Sequence, residues 1–95
     1  MTRRQLLLIQ LNEELAEAQH AACKALRFGL DDVSPKTGIS NLEYLTAEIS
    51  DIVSVLTKLE EDGVDFDLND EQHEAKLKRI EEYLDYSRQK GILDE

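Results

Sequence analysis

Two pairs of acidic residues with the same spacing occupy positions that should be apolar. Glu14 and Glu17 form the first pair, and Glu48 and Asp51 form the second. At about 100° per residue on a helix, Glu14 and Glu48 each lie in the middle of an apolar stripe. The stripes consist of Leu7, Leu11, Ala18, Ala21 and Ala25, and of Leu45, Ile52, Val55 and Leu59. Buried carboxylates are costly, so this pattern requires something that compensates their charge.

A hard divalent cation resolves this conflict. Mg²⁺, or alternatively Mn²⁺, takes oxygen ligands and supplies the missing positive charge. Acidic residues three apart lie about one helical turn from each other, so each pair can share or flank one ion. The competing interpretation is that such pairs arise by chance in a chain with 21 acidic residues and are solvated surface.

Signals for the starts and ends of helices place both pairs on long helices. Ser40 with Glu43, and Asn69 with Gln72, form capping-box patterns that begin two helices. Three segments end in a glycine suited to a helix C-terminus, namely Gly29, Gly63 and Gly91. No strand pattern competes with this interpretation. The predicted helices cover about 3–28, 41–62 and 70–90.

These elements predict one all-α domain over residues 1–95. Two long helices joined by a short linker pack antiparallel to hide their apolar faces. The third, C-terminal helix carries only a narrow apolar stripe formed by His73, Leu77, Ile80 and Leu84. Because three such helices make a small core, we expect a homodimer or homotetramer that completes a four-helix or larger bundle.

Composition restricts the partners and the compartment. Eleven Lys and Arg residues oppose 21 Asp and Glu residues, a formal net charge of -10, which disfavours binding to a nucleic acid polymer. The single cysteine cannot form an intramolecular disulfide. The apolar run near the N-terminus lacks a cleavage site for export, and no segment is long enough to cross a membrane. We therefore expect a cytoplasmic protein that binds no membrane.

The acidic motifs resemble those of a known family. Glu13–Glu17 reads EExxE and Glu48–Asp51 reads ExxD, each on its own helix. Together they resemble the all-α nucleoside triphosphate pyrophosphohydrolases of the MazG-like superfamily, and residues 24–30 and 41–59 look most like small phage and bacterial members. The resemblance covers about 6–60 and is weak over the third helix. The spacer between the motifs is slightly longer here than is usual in the family.

The resemblance implies an enzyme that uses Mg²⁺ to hydrolyse a nucleoside triphosphate, ribose or deoxyribose, to the monophosphate and pyrophosphate. It assigns metal binding to four residues, Glu14, Glu17, Glu48 and Asp51. Related enzymes of the phosphoribosyl-ATP or dUTP type are an alternative. Another is a non-catalytic helical interaction protein that retains the fold.

Further residues are candidates for catalysis and phosphate binding. Glu13 lies about 100° around the helix from the metal ligands and could hold a water or act as a general base. Lys24 could contact phosphate or pair with Glu17, and we favour the ion pair. Lys76 and Arg79 on the third helix are candidates for phosphate binding. The two histidines, His20 and His73, are isolated and belong to no catalytic pattern.

Overall fold

The computed structural model describes all 95 residues and contains three α-helices and no strand. The helices are α1 (Arg3–Phe28), α2 (Asn41–Glu61) and α3 (Asp70–Gln89). The prediction of an all-α fold is confirmed, and every helix begins and ends within one residue of its predicted bounds. The chain divides into two compact units, Met1–Asp65 and Phe66–Glu95. None of the three helices combines the length and the apolar character needed to cross a membrane.

The first helix begins with a complete capping box. The side-chain oxygen of Thr2 accepts a hydrogen bond from the Gln5 backbone N–H at 3.1 Å, and the Gln5 side chain accepts one from the Thr2 backbone N–H at 2.8 Å. This pair satisfies two backbone groups that a helix N-terminus otherwise leaves without partners. This box was not predicted, although Thr-x-x-Gln is a recognisable form of the motif.

The two predicted capping boxes form only in part. Ser40 and Asn69 do cap their helices, because their side chains accept from the backbone N–H of Glu43 at 3.1 Å and of Gln72 at 2.8 Å. The reciprocal bond to the backbone is absent in both. At α2 the Glu43 carboxylate instead accepts from the Ser40 hydroxyl at 3.1 Å. The prediction of two full boxes was therefore wrong, while the predicted helix starts were right.

Helices α1 and α2 pack side by side as an antiparallel hairpin, which is tied at both ends. At one end Arg4 Nη2 donates to the backbone oxygen of Asp62 at 2.6 Å, and Arg4 Nε donates to the Asp62 carboxylate at 3.1 Å. At the other end the buried Asn41 donates from Nδ2 to the Gly29 carbonyl at 2.9 Å. Gly29 has a φ of 96°, which an L side chain rarely adopts, so glycine suits this turn. The two ties fix the register of the helices along each other.

The inner faces of the hairpin follow the predicted stripes. In α1 the buried or half-buried positions recur at steps of four and three residues, and they are Leu7, Leu11, Glu14, Ala18, Ala21 and Ala25. In α2 the corresponding inner positions are Asn41, Leu45, Glu48, Ile52, Val55 and Leu59. Such steps mark a coiled-coil seam. Only Ala21 and Leu59 are buried apolar residues, and of these only Leu59 is fully buried, so the core of this unit is small.

The second unit contains α3 and the C-terminal segment. Leu84 and Ser87 are half-buried, whereas Leu77 and Ile80 of the predicted stripe are exposed. Arg88 ties the end of the helix to the segment that follows it, because it contacts Asp85 at 2.6 Å and Glu95 at 2.7 Å. The packing of all three helices into one bundle stays a prediction.

The tie between Asn41 and Gly29 predicts a measurable loss of stability. We expect Asn41→Ala to lower the free energy of unfolding by about 1–2 kcal/mol, since it leaves the Gly29 carbonyl without this partner. The matched control is Asn12→Ala, an exposed position on α1, which should change stability by less than about 0.5 kcal/mol. Denaturant unfolding followed by circular dichroism measures both. Equal effects of the two substitutions would contradict the role given to Asn41.

Candidate metal centre

Three of the four acidic residues singled out in the sequence converge at the middle of the hairpin. Glu14 of α1 and Glu48 of α2 lie on the inner faces of their helices, at the same level of the antiparallel pair. Glu17 lies one turn along α1 from Glu14. Each of the three offers a carboxylate oxygen, and these oxygens all lie within 4.8 Å of one another. We call Glu14, Glu17 and Glu48 the acidic trio.

Two oxygens of the acidic trio are shielded from water without a partner. Glu14 and Glu48 are half-buried, whereas Glu17 is exposed. The Oε2 atoms of Glu14 and Glu48 are inaccessible to solvent, and neither has a hydrogen-bond partner. Most buried polar atoms in proteins are paired, so these two require a physical explanation. A carboxylate surrounded by other carboxylates has no donor to accept from unless a proton or a cation is present.

Two carboxyl groups of the trio, those of Glu14 and Glu48, have raised pKa values because they are buried beside other carboxylates. Burial raises the pKa of Glu14, and the charges of Glu17 and Asp51 raise it further, while a hydrogen bond with Glu48 acts in the opposite direction. Burial also raises the pKa of Glu48 to about 7, assisted by hydrogen bonding to Glu17 and Glu14 and by their charges. Both shifts favour the protonated, neutral form of these two carboxyl groups when no cation is bound.

Asp51 and Glu13 lie near the trio but outside it. Both are exposed, and both contribute negative charge that raises the pKa of Glu14. Asp51 occupies the same position relative to Glu48 as Glu17 does relative to Glu14. Its side chain is one methylene shorter than that of glutamate, which limits its reach toward the seam. The structure therefore brings together three of the four predicted metal ligands and leaves the fourth beside them.

An open groove of about 420 Å³ adjoins the trio on one side of the hairpin. Glu17 and Glu48 form its acidic part. Its other lining residues are Ala16, His20, Ala21, Lys24, Asn41 and Tyr44. The groove thus combines carboxylates with a cationic side chain, an imidazole and an aromatic ring, and it can hold a molecule larger than a metal ion.

The expected ion pair between Lys24 and Glu17 does not form. Lys24 is exposed and takes part in none of the ion pairs of the chain. The two residues share a helix face, but they are seven positions apart, which is about 10 Å along the axis. The expectation was therefore wrong. The ammonium group of Lys24 is left free to meet an anion in the groove.

The sequence did not predict that His20, Asn41 and Tyr44 line one groove together. His20 was set aside because it fits no catalytic motif, and Asn41 was interpreted only as part of a helix start. His20 lies between Glu17 and Lys24 in α1, on the side of the helix that both of them share, so a wheel centred on Glu17 rather than Glu14 would have found it. Tyr44 lies one turn before Glu48 and donates from its hydroxyl to Thr37 at 3.3 Å. The signal for these residues was their helical spacing from the acids.

Lys76 and Arg79 belong to the second unit. They line a groove of about 380 Å³ on α3 together with Ile80 and Tyr83. Their predicted role in phosphate binding stays a prediction.

Comparisons with protein-family models, curated proteins and solved structures find no match to this chain. The resemblance to the MazG-like superfamily therefore rests on the two acidic motifs and stays a prediction.

The raised pKa of Glu48 predicts how the metal-free protein responds to pH. Folded Glu48 holds its proton up to about pH 7, whereas the reference value is 4.5, so the folded state binds more protons in this window. The stabilisation is complete below 4.5 and is lost as the pH rises through about 7. In the presence of a chelator, we expect the melting temperature to fall as the pH is raised from about 5 to about 8.

Substitution of Glu48 separates this effect from the titration of other acids. Glu48→Gln removes the titrating group and relieves repulsion, so we expect a higher metal-free melting temperature at about pH 8 and a flatter pH profile. The exposed Glu60 of α2 supplies the control, because Glu60→Gln should retain the wild-type profile. A Glu48→Gln variant that unfolds, or that keeps the full pH dependence, would contradict the repulsion described here.

Proposed function

We propose that the protein is a Mg²⁺-dependent nucleoside triphosphate pyrophosphohydrolase, which converts a ribo- or deoxyribonucleoside triphosphate to the monophosphate and pyrophosphate. The observation that carries this proposal is the convergence of Glu14, Glu17 and Glu48 beside a groove of about 420 Å³. The convergence supports a metal site, and the EExxE and ExxD motifs supply the class of reaction.

The residues present suit a hard divalent cation. The trio offers only carboxylate oxygens, which are the ligands that Mg²⁺ and Mn²⁺ prefer. The unpartnered Oε2 atoms of Glu14 and Glu48 would gain a partner from a bound ion. We propose that the trio holds Mg²⁺, with Asp51 as the fourth acid and Mn²⁺ as the alternative ion. A bound ion would neutralise negative charge on the phosphates, and it would lower the pKa of a water molecule bound to it.

Charge explains why the cation is needed for substrate binding. A triphosphate carries about four negative charges, and the chain itself carries a formal charge of -10. Like charges at the acidic part of the groove would repel the substrate in the absence of a metal. In our proposal the metal-loaded trio and the free Lys24 together make the groove attractive to phosphates.

The side chains around the trio have distinct tasks in this proposal. Lys24 contacts the phosphate chain where the groove runs along α1, because its ammonium group has no other partner. Glu13 is exposed next to the trio, where it can accept a proton from the attacking water. Tyr44 presents its ring on the α2 side of the groove, where a planar base can stack on it.

The setting proposed for the enzyme is a homo-oligomer in the cytoplasm. The small core supports self-association, because only two apolar residues, Ala21 and Leu59, are buried. The single cysteine, Cys23, is exposed and unpaired, which suits a reducing compartment.

The direct test is the release of pyrophosphate from a panel of nucleoside triphosphates in the presence of Mg²⁺. The panel includes dUTP and phosphoribosyl-ATP, because both belong to the alternative substrates. We expect turnover of at least one compound, a loss of about 100-fold or more in Glu48→Gln, and little change in Glu60→Gln. Lys24→Ala should raise KM more than it lowers kcat, since it removes a contact made in the bound substrate.

The outcome also separates the enzyme from a non-catalytic protein. If folded protein binds Mg²⁺ but releases pyrophosphate from none of these compounds, the proposed activity is wrong and the helical interaction protein becomes the better account. Identification of the products by phosphorus NMR distinguishes pyrophosphate from sequential release of phosphate.

A further inference from the structure

A buried amide lines the groove on the side that lies toward the turn of the hairpin. The amide belongs to Asn41, which is only 9% exposed. Its backbone N–H donates to the Asp32 carbonyl at 3.0 Å, and its Nδ2 donates to the Gly29 carbonyl at 2.9 Å. Because a carbonyl can only accept, the amide nitrogen must face Gly29, and the amide oxygen Oδ1 faces away from it. The chain itself therefore determines the orientation of this side chain.

The Oδ1 atom of Asn41 is an acceptor without a donor. It accepts no hydrogen bond from the chain, and it is not sealed from solvent as the Oε2 atoms of Glu14 and Glu48 are. Since the rest of the side chain is buried, the groove is the space from which a donor can reach Oδ1. An almost buried acceptor is costly to leave unpaired. The groove therefore favours an occupant that presents a hydrogen-bond donor at this point.

The distance between Asn41 and the metal site matches the length of a nucleotide. Glu48 follows Asn41 by seven residues in α2, which is about 10 Å along the axis and nearly the same side of the helix. A nucleotide spans a similar length, on the order of 10 Å from its α-phosphorus to the far edge of its base, given bonds of about 1.3–1.5 Å. A phosphate held at the acidic trio thus brings the far edge of the base to Oδ1.

The space between these two points suits a flat ring. Tyr44 lies three residues after Asn41 and is half-buried, and its hydroxyl donates to Thr37 at 3.3 Å, which restrains the ring. The α1 side of the groove includes the small, buried Ala21. The volume of about 420 Å³ falls within the usual range of small-molecule sites. A base that stacks on Tyr44 therefore points its edge at Asn41.

The bases differ in the group that they present at this edge. Cytosine carries a 4-amino group and adenine a 6-amino group, and both are donors, whereas uracil and thymine carry O4 and guanine carries O6, which are acceptors. An acceptor placed against Oδ1 leaves both oxygens without a donor, and a site built for a donor rejects such an analogue.

We infer that the groove selects nucleoside triphosphates whose base carries an exocyclic amino group at its far edge, namely cytosine or adenine, and that Asn41 Oδ1 is the acceptor that distinguishes them. This inference rests on the proposed function, because the metal-loaded trio holds the phosphate end of the substrate. It gives Asn41 a second task besides its tie to Gly29, which uses the other end of the same amide.

Two matched pairs of substrates test the inference on the unmodified protein. CTP and UTP differ at position 4, and ATP and ITP differ at position 6, in each case by an amino group against a carbonyl oxygen. With Mg²⁺ present, we expect kcat/KM to be at least about 10-fold higher for the amino member of each pair that is turned over. Equal values would overturn the inference while the proposed activity stands. A preference for UTP and ITP would also overturn it and would indicate that a donor such as Lys24 recognises the base.

Substitution of Asn41 separates recognition of the base from the stability that this residue provides. We expect Asn41→Ala to reduce the preference for CTP over UTP to less than about 3-fold, since no fixed acceptor remains. The matched control is Arg4→Ala, which breaks the tie at the other end of the hairpin and lies outside the groove, so the preference should persist. An Asn41→Ala variant that keeps the full preference would overturn the role of Oδ1.

Binding decides the inference if the protein hydrolyses none of these compounds. Titration calorimetry with Mg²⁺ and CTP, and with Mg²⁺ and UTP, measures the two dissociation constants on the wild type. A dissociation constant at least about 10-fold lower for CTP would support recognition of the amino group although the proposed activity was wrong. Equal affinities, or no binding of either compound, would overturn the inference together with the activity.

Discussion

Facing carboxylates at the centre of a helix seam are the constraint on which the rest of this structure depends. Glu14 and Glu48 occupy positions where a coiled-coil seam ordinarily holds apolar side chains, and one oxygen of each is cut off from water without a partner. Burial removes water from these two carboxylates, and their proximity adds electrostatic repulsion between them. It persists only if the surrounding hairpin is held firmly and if a proton or cation balances the charge.

The hairpin supplies this support at its ends rather than at its centre. Arg4 binds Asp62 where α1 begins and α2 ends, and Asn41 binds Gly29 at the turn between them. These contacts set the level of Glu14 against Glu48. Apolar layers on both sides of the acids, with Leu59 fully buried in one of them, maintain the helices at packing distance. The acids are thus positioned by the scaffold, and their proximity is not a result of their own attraction.

Helical periodicity predicted most of this architecture, because a three-residue spacing and a glycine stop are local signals. It placed Glu14 and Glu48 on facing stripes and gave the bounds of all three helices. Periodicity was less successful for contacts that depend on the length of a side chain or on the distance between two residues along the helix. Asp51 shares the angular position of Glu17 but is a shorter side chain, and Lys24 shares the face of Glu17 but lies two turns away. A helical-wheel projection shows the angle of each residue around the axis but not its distance along the axis. The expected ion pair between Lys24 and Glu17 was wrong for this reason. His20 was missed because its place in the lining of the groove follows from its neighbours on the helix and not from a motif.

The acidic trio and the groove beside it lie in one small hairpin of a chain of 95 residues. The claim on which the account most depends is that a divalent cation neutralises the trio. Anomalous diffraction from crystals grown with Mn²⁺ measures this directly. The account predicts an anomalous peak bonded to carboxylate oxygens of Glu14, Glu17 and Glu48, at roughly the 2.0–2.2 Å typical of hard divalent ions of this size. Well-ordered acids with no peak between them at saturating Mn²⁺, or a peak held only by other residues, would contradict it.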